Sequence, residues 1–268
     1  MKLGGFVIHR GDSDTLGACL DSLLAVCDEV VAVDSGSAQV ASITARPGVR
    51  AVRHPWEGYG AARAAAAEAL RDCDYLFFLD SDEELSVSSV AALRGWWTER
   101  PGGAYYALPV RDWAILPDAR FLYRVEHHVR LVRADAARWN RSMIVHEALP
   151  PGPTVRVAAP VEHRFATSLE TRARKNERYA LLWAVRFAQE GRRPKAAWMQ
   201  RAFHVVRDCL VKGALFRGGL DALRIAWAVS SYHAAKYAYL AAVRAGAHVE
   251  LRRAFQDEQY EQLFRLLS

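Results

Sequence analysis

Residues 75–85 read YLFFLDSDEEL. Tyr75 to Leu79 form an unbroken apolar and aromatic run, the pattern of a strand covered on both faces in the middle of a parallel sheet. The run stops at Asp80, Asp82, Glu83 and Glu84, with Ser81 between the first two. In open α/β sheets, ligands bind just past the carboxyl ends of the strands. Two carboxylates one residue apart repel each other there unless a cation lies between them. Hard oxygen donors suit Mg2+ or Mn2+ carrying a diphosphate. The plainer alternative is an acidic first turn that caps the next helix, where negative charge interacts favourably with the macrodipole. Glu83 and Glu84 fit that alternative, whereas Asp80 and Asp82 fit the metal reading better.

The same design recurs upstream. The apolar run Val30 to Val33 ends in Asp34-Ser35-Gly36-Ser37. Gly5 to His9 reads as a first strand, broken by Gly11, Asp12 and Ser13, and Asp12 or Ser13 can cap a helix. In that helix Leu16, Cys19, Leu20, Leu23 and Leu24 recur at helical spacing. Val49 to Arg53 reads as a third strand, followed by His54-Pro55-Trp56-Glu57-Gly58-Tyr59-Gly60 and an alanine-rich helix from Ala61 to about Leu70. Arg63 falls in its first turn, in reach of a bound phosphate, although a surface arginine would look the same. A further helix runs through Val87, Val90, Leu93 and Trp97. Strand and helix in alternation predict a nucleotide-binding α/β half with a parallel sheet. GxGxxG and GxxxxGK[ST] are both missing from the sequence, which leaves dinucleotide and P-loop readings unsupported.

With 268 residues, 51% hydrophobic and 25% charged, the chain has an ordinary globular mixture, not a disordered one. Cys19, Cys27, Cys73 and Cys209 form no CxxC pair, and a reducing cytosol fits them. The opening MKLGGFVIHRG lacks the apolar core of a signal peptide, so nothing predicts export. The net charge of +6 is unevenly placed. Residues 172–253 carry 17 Lys and Arg against five acids, Glu177, Glu190, Asp208, Asp221 and Glu250. Nucleic acid, an anionic membrane or a phosphorylated substrate would each answer that charge.

Residues 102–163 change character, with strands expected over Ala104 to Val110 and Val129 to Val132. The stretches RVEHHVRLVR (124–133), Val145-His146-Glu147 and Glu162-His163 hold chemistry-bearing side chains. The spacing of His127, His128, His146 and His163 matches no helical pair of zinc ligands. His146-Glu147 lacks the second histidine of a metalloprotease signature, and a general base suits it better. From Thr167 onward the pattern is helical, opened by the capping box Thr167-x-x-Glu170. Ile225 to Val243 is the most apolar part, interrupted by His233 and Lys236, so it does not read as a span. These basic, aromatic helices are expected to lie on a membrane surface, with an ordinary amphipathic bundle as the close alternative.

VDSGS at Val33, HPWEGYG at His54, LDSDEEL at Leu79, VRLVR at Val129 and VHE at Val145 occur in that order. Together they resemble family 2 inverting glycosyltransferases of GT-A fold, in the branch of the bacterial lipopolysaccharide-core β-glucosyltransferases. The resemblance covers roughly residues 6–179. It implies a GT-A-type, Rossmann-like α/β sheet with helices on both faces over residues 1–166, with a donor half (1–100) and an acceptor half (101–166). The basic helical region, residues 167–268, would follow. It also implies roles. Ile8, His9 and Gly11 line the nucleotide pocket, with Asp34, Ser35 and Gly36 at the base. Asp80, Ser81 and Asp82 match the DxD element that holds ribose and the metal-diphosphate, so Asp82 and Asp80 are the expected metal ligands for Mg2+ or Mn2+. Arg63 stands near the phosphates, and Arg130, Arg133 and His146 hold phosphate or acceptor. Glu147 is the expected base, with Glu126 in reserve. The family's Asn-Glu pair after the first strand is replaced by His9-Arg10-Gly11-Asp12, and Ala64 stands where an amide or basic residue is common.

The expected activity is transfer of a sugar from a nucleotide-sugar donor, UDP-linked, to a hydroxyl of a glycan or lipid-linked acceptor at the inner face of the cytoplasmic membrane. Nucleic acid is not an expected partner, because the acidic strand ends suit it poorly. A catalytically silent nucleotide-sugar-binding relative is the alternative from another class, argued by the changed first loop. A sugar nucleotidyltransferase would bring a glycine- and lysine-rich phosphate loop that this chain lacks.

Overall fold

The structure is a computed structural model that describes residues 1–9, 14–36, 46–143, 148–257, 259 and 262. Contacts divide the chain into two compact units, Met1–Arg111 with Val125–Arg164, and Asp112–Arg124 with Phe165–Ser268.

The first unit opens with β1 (Leu3–His9), α1 (Leu16–Val26), β2 (Glu29–Asp34), β3 (Val49–Arg53) and α2 (Tyr59–Ala69). Next come β4 (Tyr75–Asp80), β5 (Glu83–Leu85) and α3 (Val87–Thr98). The strands β6 (Tyr105–Leu116), β7 (Ala119–Arg133), β8 (Thr154–Arg156) and β9 (Val161–Ala166) complete the sheet. Its order is β3-β2-β1-β4-β7-β6-β9-β5, with β8 added on β6. The four strands β3, β2, β1 and β4 run parallel, and β7 joins β4 antiparallel through Leu131↔Phe77.

The alternation of side chains along these strands builds two cores. Val7, Val30, Ala32, Phe77 and Leu79 face one side, where Leu16, Leu20 and Leu23 of α1 and Leu93 of α3 cover them. Phe6, Ile8, Val31, Val33 and Phe78 face the other, where Ala62 and Ala66 of α2 pack. The rings of Phe6 and Phe78 stack at 5.3 Å, and Trp139 sets its edge against both. Each such buried Val, Leu, Ile or Phe side chain stabilises by about 1.5–3 kcal/mol. The alanines of α2 let that helix approach closely, as their size predicts. An α/β sheet with helices on both faces is therefore observed.

Two sulfurs finish β1. A Cβ on Gly5 would lie 2.6 Å from the Cys27 sulfur, and one on Gly4 would lie 2.9 Å from that of Cys73. The thiols thus occupy the space that the glycines leave, and all four cysteines are free. Burial pushes the thiol pKa of each one up.

One local expectation falls outside the described residues and two change. Asp12 and Ser13 lie outside the described residues; Thr15 precedes α1, and its hydroxyl donates to the Ser81 carbonyl at 2.6 Å instead of capping the helix. Glu83 and Glu84 do not cap α3. They form β5, paired antiparallel with β9 through Glu83↔His163, and Ser86 caps α3 by accepting from the Ser89 amide at 3.2 Å. The strands β6 and β7 run well beyond the expected 104–110 and 129–132, because their far ends fold as part of the second unit.

In that unit the hairpin tip packs with α4 (Leu169–Gln189), α5 (Ala197–Val206), α6 (Ala214–Arg244) and α7 (Val249–Gln256). Helix α4 starts at Leu169, two residues beyond Thr167. The core holds Phe121, Tyr123, Phe165, Ala222, Ile225 and Val229. Asp208 is buried there, 3.0 Å from the Tyr123 hydroxyl, 3.2 Å from Arg124 and 2.7 Å from Arg207. A π-helical turn, Arg207–Val211, precedes α6, and Gly219 (φ 51°, ψ −132°) kinks α6 near its start. That backbone geometry is one glycine adopts readily. Among the described residues no helix is long and apolar enough to cross a membrane.

Candidate functional site

The register of the parallel strands brings their carboxyl ends together. His9 ends β1 opposite Asp34, which ends β2, and Ile8 lies opposite Asp80, which ends β4. Between β1 and β4 the chain order reverses, and at such a switch point α/β sheets leave a ligand crevice. Ile8, His9, Asp34, Ser35, Asp80, Ser81 and Asp82 therefore share one edge. The Ser35 amide donates to the His9 carbonyl at 3.1 Å, and the Gly36 amide donates to Oδ1 of Asp34 at 3.0 Å. Gly11 lies outside the described residues.

Asp80 is the centre of a charge cluster. Arg63 reaches its Oδ1 at 2.8 Å from the second turn of α2, because that helix starts at Tyr59, two residues before the expected Ala61. Arg130, from β7, reaches its Oδ2 at 2.9 Å. Both guanidiniums lie over the Phe78 ring, at 4.8 and 5.5 Å from its centre. Glu83 pairs with the same Arg130 nitrogen, and its other oxygen accepts the Asp80 amide at 3.0 Å. Burial alone would raise the Asp80 carboxyl; Arg130, Arg63 and His163 overcome it and hold the group well below the usual carboxylate range. Burial pushes Glu83 up, with Arg130 pulling against it. Arg130 is itself raised above its ordinary value: burial opposes the shift, and its two carboxylates more than offset that.

Asp82 is differently placed. Its side chain is 33% exposed, and its Oδ2 lies 3.5 Å from Nε2 of His163 on β9. The Asp82 carbonyl accepts the Arg164 amide at 3.1 Å, so β9 fixes the loop on which Asp82 sits. A carboxylate and an imidazole beside each other, both reaching solvent, are donors that a divalent ion can use. Asp80 fits a metal poorly. Two guanidiniums already neutralise it, and a dication brought against it would meet both. Among the described residues no group of three or more His, Cys, Asp or Glu side chains is arranged around a common point.

The other expected residues scatter. Arg133 pairs with Asp135 at the amino end of β4, opposite Tyr75, roughly 17 Å along the strand from Asp80 at ~3.3 Å per residue. It is not brought to the cluster. Glu126 lies on the part of β7 that runs past the carboxyl end of β4, half-buried and 3.8 Å from His128. His146 and Glu147 lie outside the described residues. The segment before them is held at Met143, whose carbonyl accepts the Gly60 amide at 2.9 Å.

A model of the family described as glycosyl transferase family 2 matches residues 6–143, just over half of the chain. The chain belongs to glycosyl transferase family 2. The matched span of this family 2 member includes Asp34, Arg63, Asp80, Asp82 and Arg130. Among curated proteins it is similar to the lipopolysaccharide core biosynthesis glycosyltransferase LpsC of Rhizobium meliloti (strain 1021), at 27% identity over 217 residues, 73% of this chain and 75% of that protein. An uncharacterised glycosyltransferase of Rickettsia conorii is 34% identical over 86 residues, 32% of this chain and 30% of that one. Among solved structures, GalNAc-T7 with UDP, GalNAc and Mn2+ superposes with a TM-score of 0.46 at 12% identity, covering 63% of this chain and 44% of that one. TarS of S. aureus gives 0.43 at 13% identity, covering 65% and 38%.

Sequence reasoning missed two members of the site. Glu83 reads as a helix cap, and only the pairing of β4 with β7 reveals its arginine partner 47 residues away. His163 matches no zinc-ligand spacing along the chain, and its partner, Asp82, comes to it through the β5–β9 pairing.

Proposed function

We propose that this family 2 member is an inverting glycosyltransferase that moves a sugar from a nucleotide-sugar, UDP-linked, to a hydroxyl of a glycan or glycolipid of the lipopolysaccharide-core type. It would act at the inner face of the cytoplasmic membrane. The observation that carries the reading is the division of labour at the end of β4, where Asp80 anchors two arginines while Asp82 stays open beside His163. Similarity to the rhizobial protein supports the acceptor class.

On this reading the nucleobase lies against His9 and Asp34. His9 is 6% exposed, and neither ring nitrogen has a hydrogen-bond partner among the described residues. A buried imidazole with open polar atoms suits a heteroaromatic ligand that can donate or accept. Arg63 and Arg130 supply positive potential near the diphosphate, their geometry set in advance by Asp80 and Glu83. Asp82, with His163, would hold a divalent ion, whose charge would offset that of the departing nucleoside diphosphate. Glu147 takes the acceptor hydroxyl's proton, with Glu126 in reserve. The oxygen then forms its bond to the anomeric carbon as the bond to the diphosphate breaks on the opposite face, and the configuration inverts.

Thermal-shift titration with UDP, GDP, CDP and dTDP, with and without Mn2+, tests this. A ligand at a hundredfold its Kd stabilises the folded state by about 2.7 kcal/mol. UDP stabilisation that needs Mn2+ and disappears in Asp82→Asn is the expected result. No shift with any nucleotide moves the weight to a silent relative.

A further inference from the structure

Helix α5 has no fully buried residue, yet it carries Trp198, Met199, Phe203 and Val206 at 73, 53, 61 and 52% exposure. With Leu210 in the following turn, residues 199, 203, 206 and 210 recur at helical spacing as one stripe. Phe216, Leu220, Leu223 and Trp227 on α6 make a second exposed stripe, while Ala222, Ile225, Ala226 and Val229 on the other side of that helix are buried. The two stripes meet where the Arg201 guanidinium lies 3.5 Å over the Trp227 ring and donates to its carbonyl. Of fourteen large apolar residues exposed among the described residues, ten fall within 198–227. A soluble domain seldom gathers its exposed aromatics this way without something to cover them.

Charge selects the cover. Residues 192–227 hold eight Lys and Arg and two acids. One acid, Asp208, is buried against Arg124 and Arg207, and the other, Asp221, pairs with Arg224. Cations therefore interleave the aromatics on a face with little negative charge. A second copy docking face to face would bring like charges together. An anionic bilayer surface would accept the aromatics at the headgroup boundary and the cations among its phosphates.

We infer that α5, the turn after it and the first half of α6 form a monotopic membrane-docking surface, with Trp198, Phe203, Phe216, Leu220 and Trp227 inserted and Arg201, Lys212 and Arg224 at anionic headgroups, while Arg217 is held inward by the Leu122, Tyr123 and Lys212 carbonyls. The inference deepens the membrane part of the proposed function and takes only the location from it. The most apolar stretch, Ile225 to Val243, contributes its apolar side chains chiefly to the core of its own unit.

The test floats the full chain with vesicles of phosphatidylcholine alone or mixed with phosphatidylglycerol, and reads tryptophan quenching by brominated acyl chains. Expected are binding to the mixed vesicles, quenching, and at least a tenfold weaker partition for Trp198→Ser/Phe203→Ser and for the milder Leu220→Ser. Circular dichroism and the nucleotide thermal shift of both variants should match the parent. A chain that floats but gives no nucleotide shift upholds this surface while failing the transferase reading. No flotation, flotation abolished by salt without quenching, or variants that bind like the parent would each overturn the inference. So would a dimer in sedimentation equilibrium that the same substitutions dissociate.

Discussion

Arg130→Met tests the charge cluster most sharply. Arg130 is 8% exposed and is shared between Asp80 and Glu83, and Glu83 is 1% exposed. Methionine keeps much of the volume but removes the guanidinium. Taking one partner from a buried ion pair destabilises by about 3–5 kcal/mol. Asp80 contributes the smaller part, because its side chain is 39% exposed and Arg63 remains on it. Glu83 contributes the larger part, since among the described residues Arg130 is the cation that pairs with its side chain, His163 acting only from a distance. Its carboxyl is already raised by burial, and without Arg130 it rises further. A carboxyl raised in the folded state binds its proton more tightly there, so its contribution is present in acid and is lost as pH climbs through the folded value. The loss in Arg130→Met should therefore be largest near pH 7 and shrink toward pH 5. The limit is about 1.4 kcal/mol per pH unit for one proton. Urea unfolding of parent and variant at both pH values measures this. Adding Glu83→Gln to Arg130→Met should flatten the pH dependence. A loss under about 1 kcal/mol at pH 7, or one that stays constant into acid, would refute the reasoning.

Two further perturbations read other parts of the chain. Gly60→Ala would drive a methyl into the Asn140 carbonyl oxygen, with the Met143 oxygen 2.9 Å away, both rigid backbone. A loss of at least about 2 kcal/mol in thermal unfolding is expected, together with weaker transfer activity, because this contact holds the segment leading to His146 and Glu147. Parent-like stability would remove that contact from the account. In the second unit the His204 and His233 rings stack at 3.3 Å. Burial, then Arg207 and Lys236 against Asp208, lowers His204 to about 4. A histidine lowered on folding leaves stability intact above its unfolded value, about 6.5, and removes it as pH falls toward the folded one. The parent should lose stability over that window, by about 1–2 kcal/mol once solvent screening of the half-buried ring is allowed for, and His204→Phe should lose less. Parallel pH profiles from tryptophan-monitored melts would count against it.

In the parallel half β1, β2 and β4 are legible because both faces of each are covered, so hydropathy alone delimits them, whereas the half-exposed edge strand β3 is delimited by its flanking Gly48 and His54-Pro55. Val49–Arg53 matches its expected bounds, and β1, β2 and β4 differ from theirs by two residues at most. The hairpin was not legible at full length. Residues 111–128 mix Arg, Asp, Glu and His with Phe121 and Tyr123, and only the C-terminal helices explain why those two aromatics are buried. Asp80 and Asp82 were read as one motif, but they part in kind because Arg63 and Arg130 arrive from different elements at the first alone. Which face of the helical region is exposed is not legible for a related reason. Hydropathy counts residue types, whereas exposure depends on which side of α6 already has a neighbour.

The sulfurs against β1 have a practical consequence. Cys27 and Cys73 sit where glycine side chains would be, Cys19 and Cys209 are buried, and all four thiols are raised and so poor nucleophiles at neutral pH. The native chain is therefore a nearly silent background for maleimide chemistry. A single cysteine placed by substitution on the exposed side of α5 or α6 would take a fluorophore or spin label selectively, with no need to strip the native cysteines from the sheet.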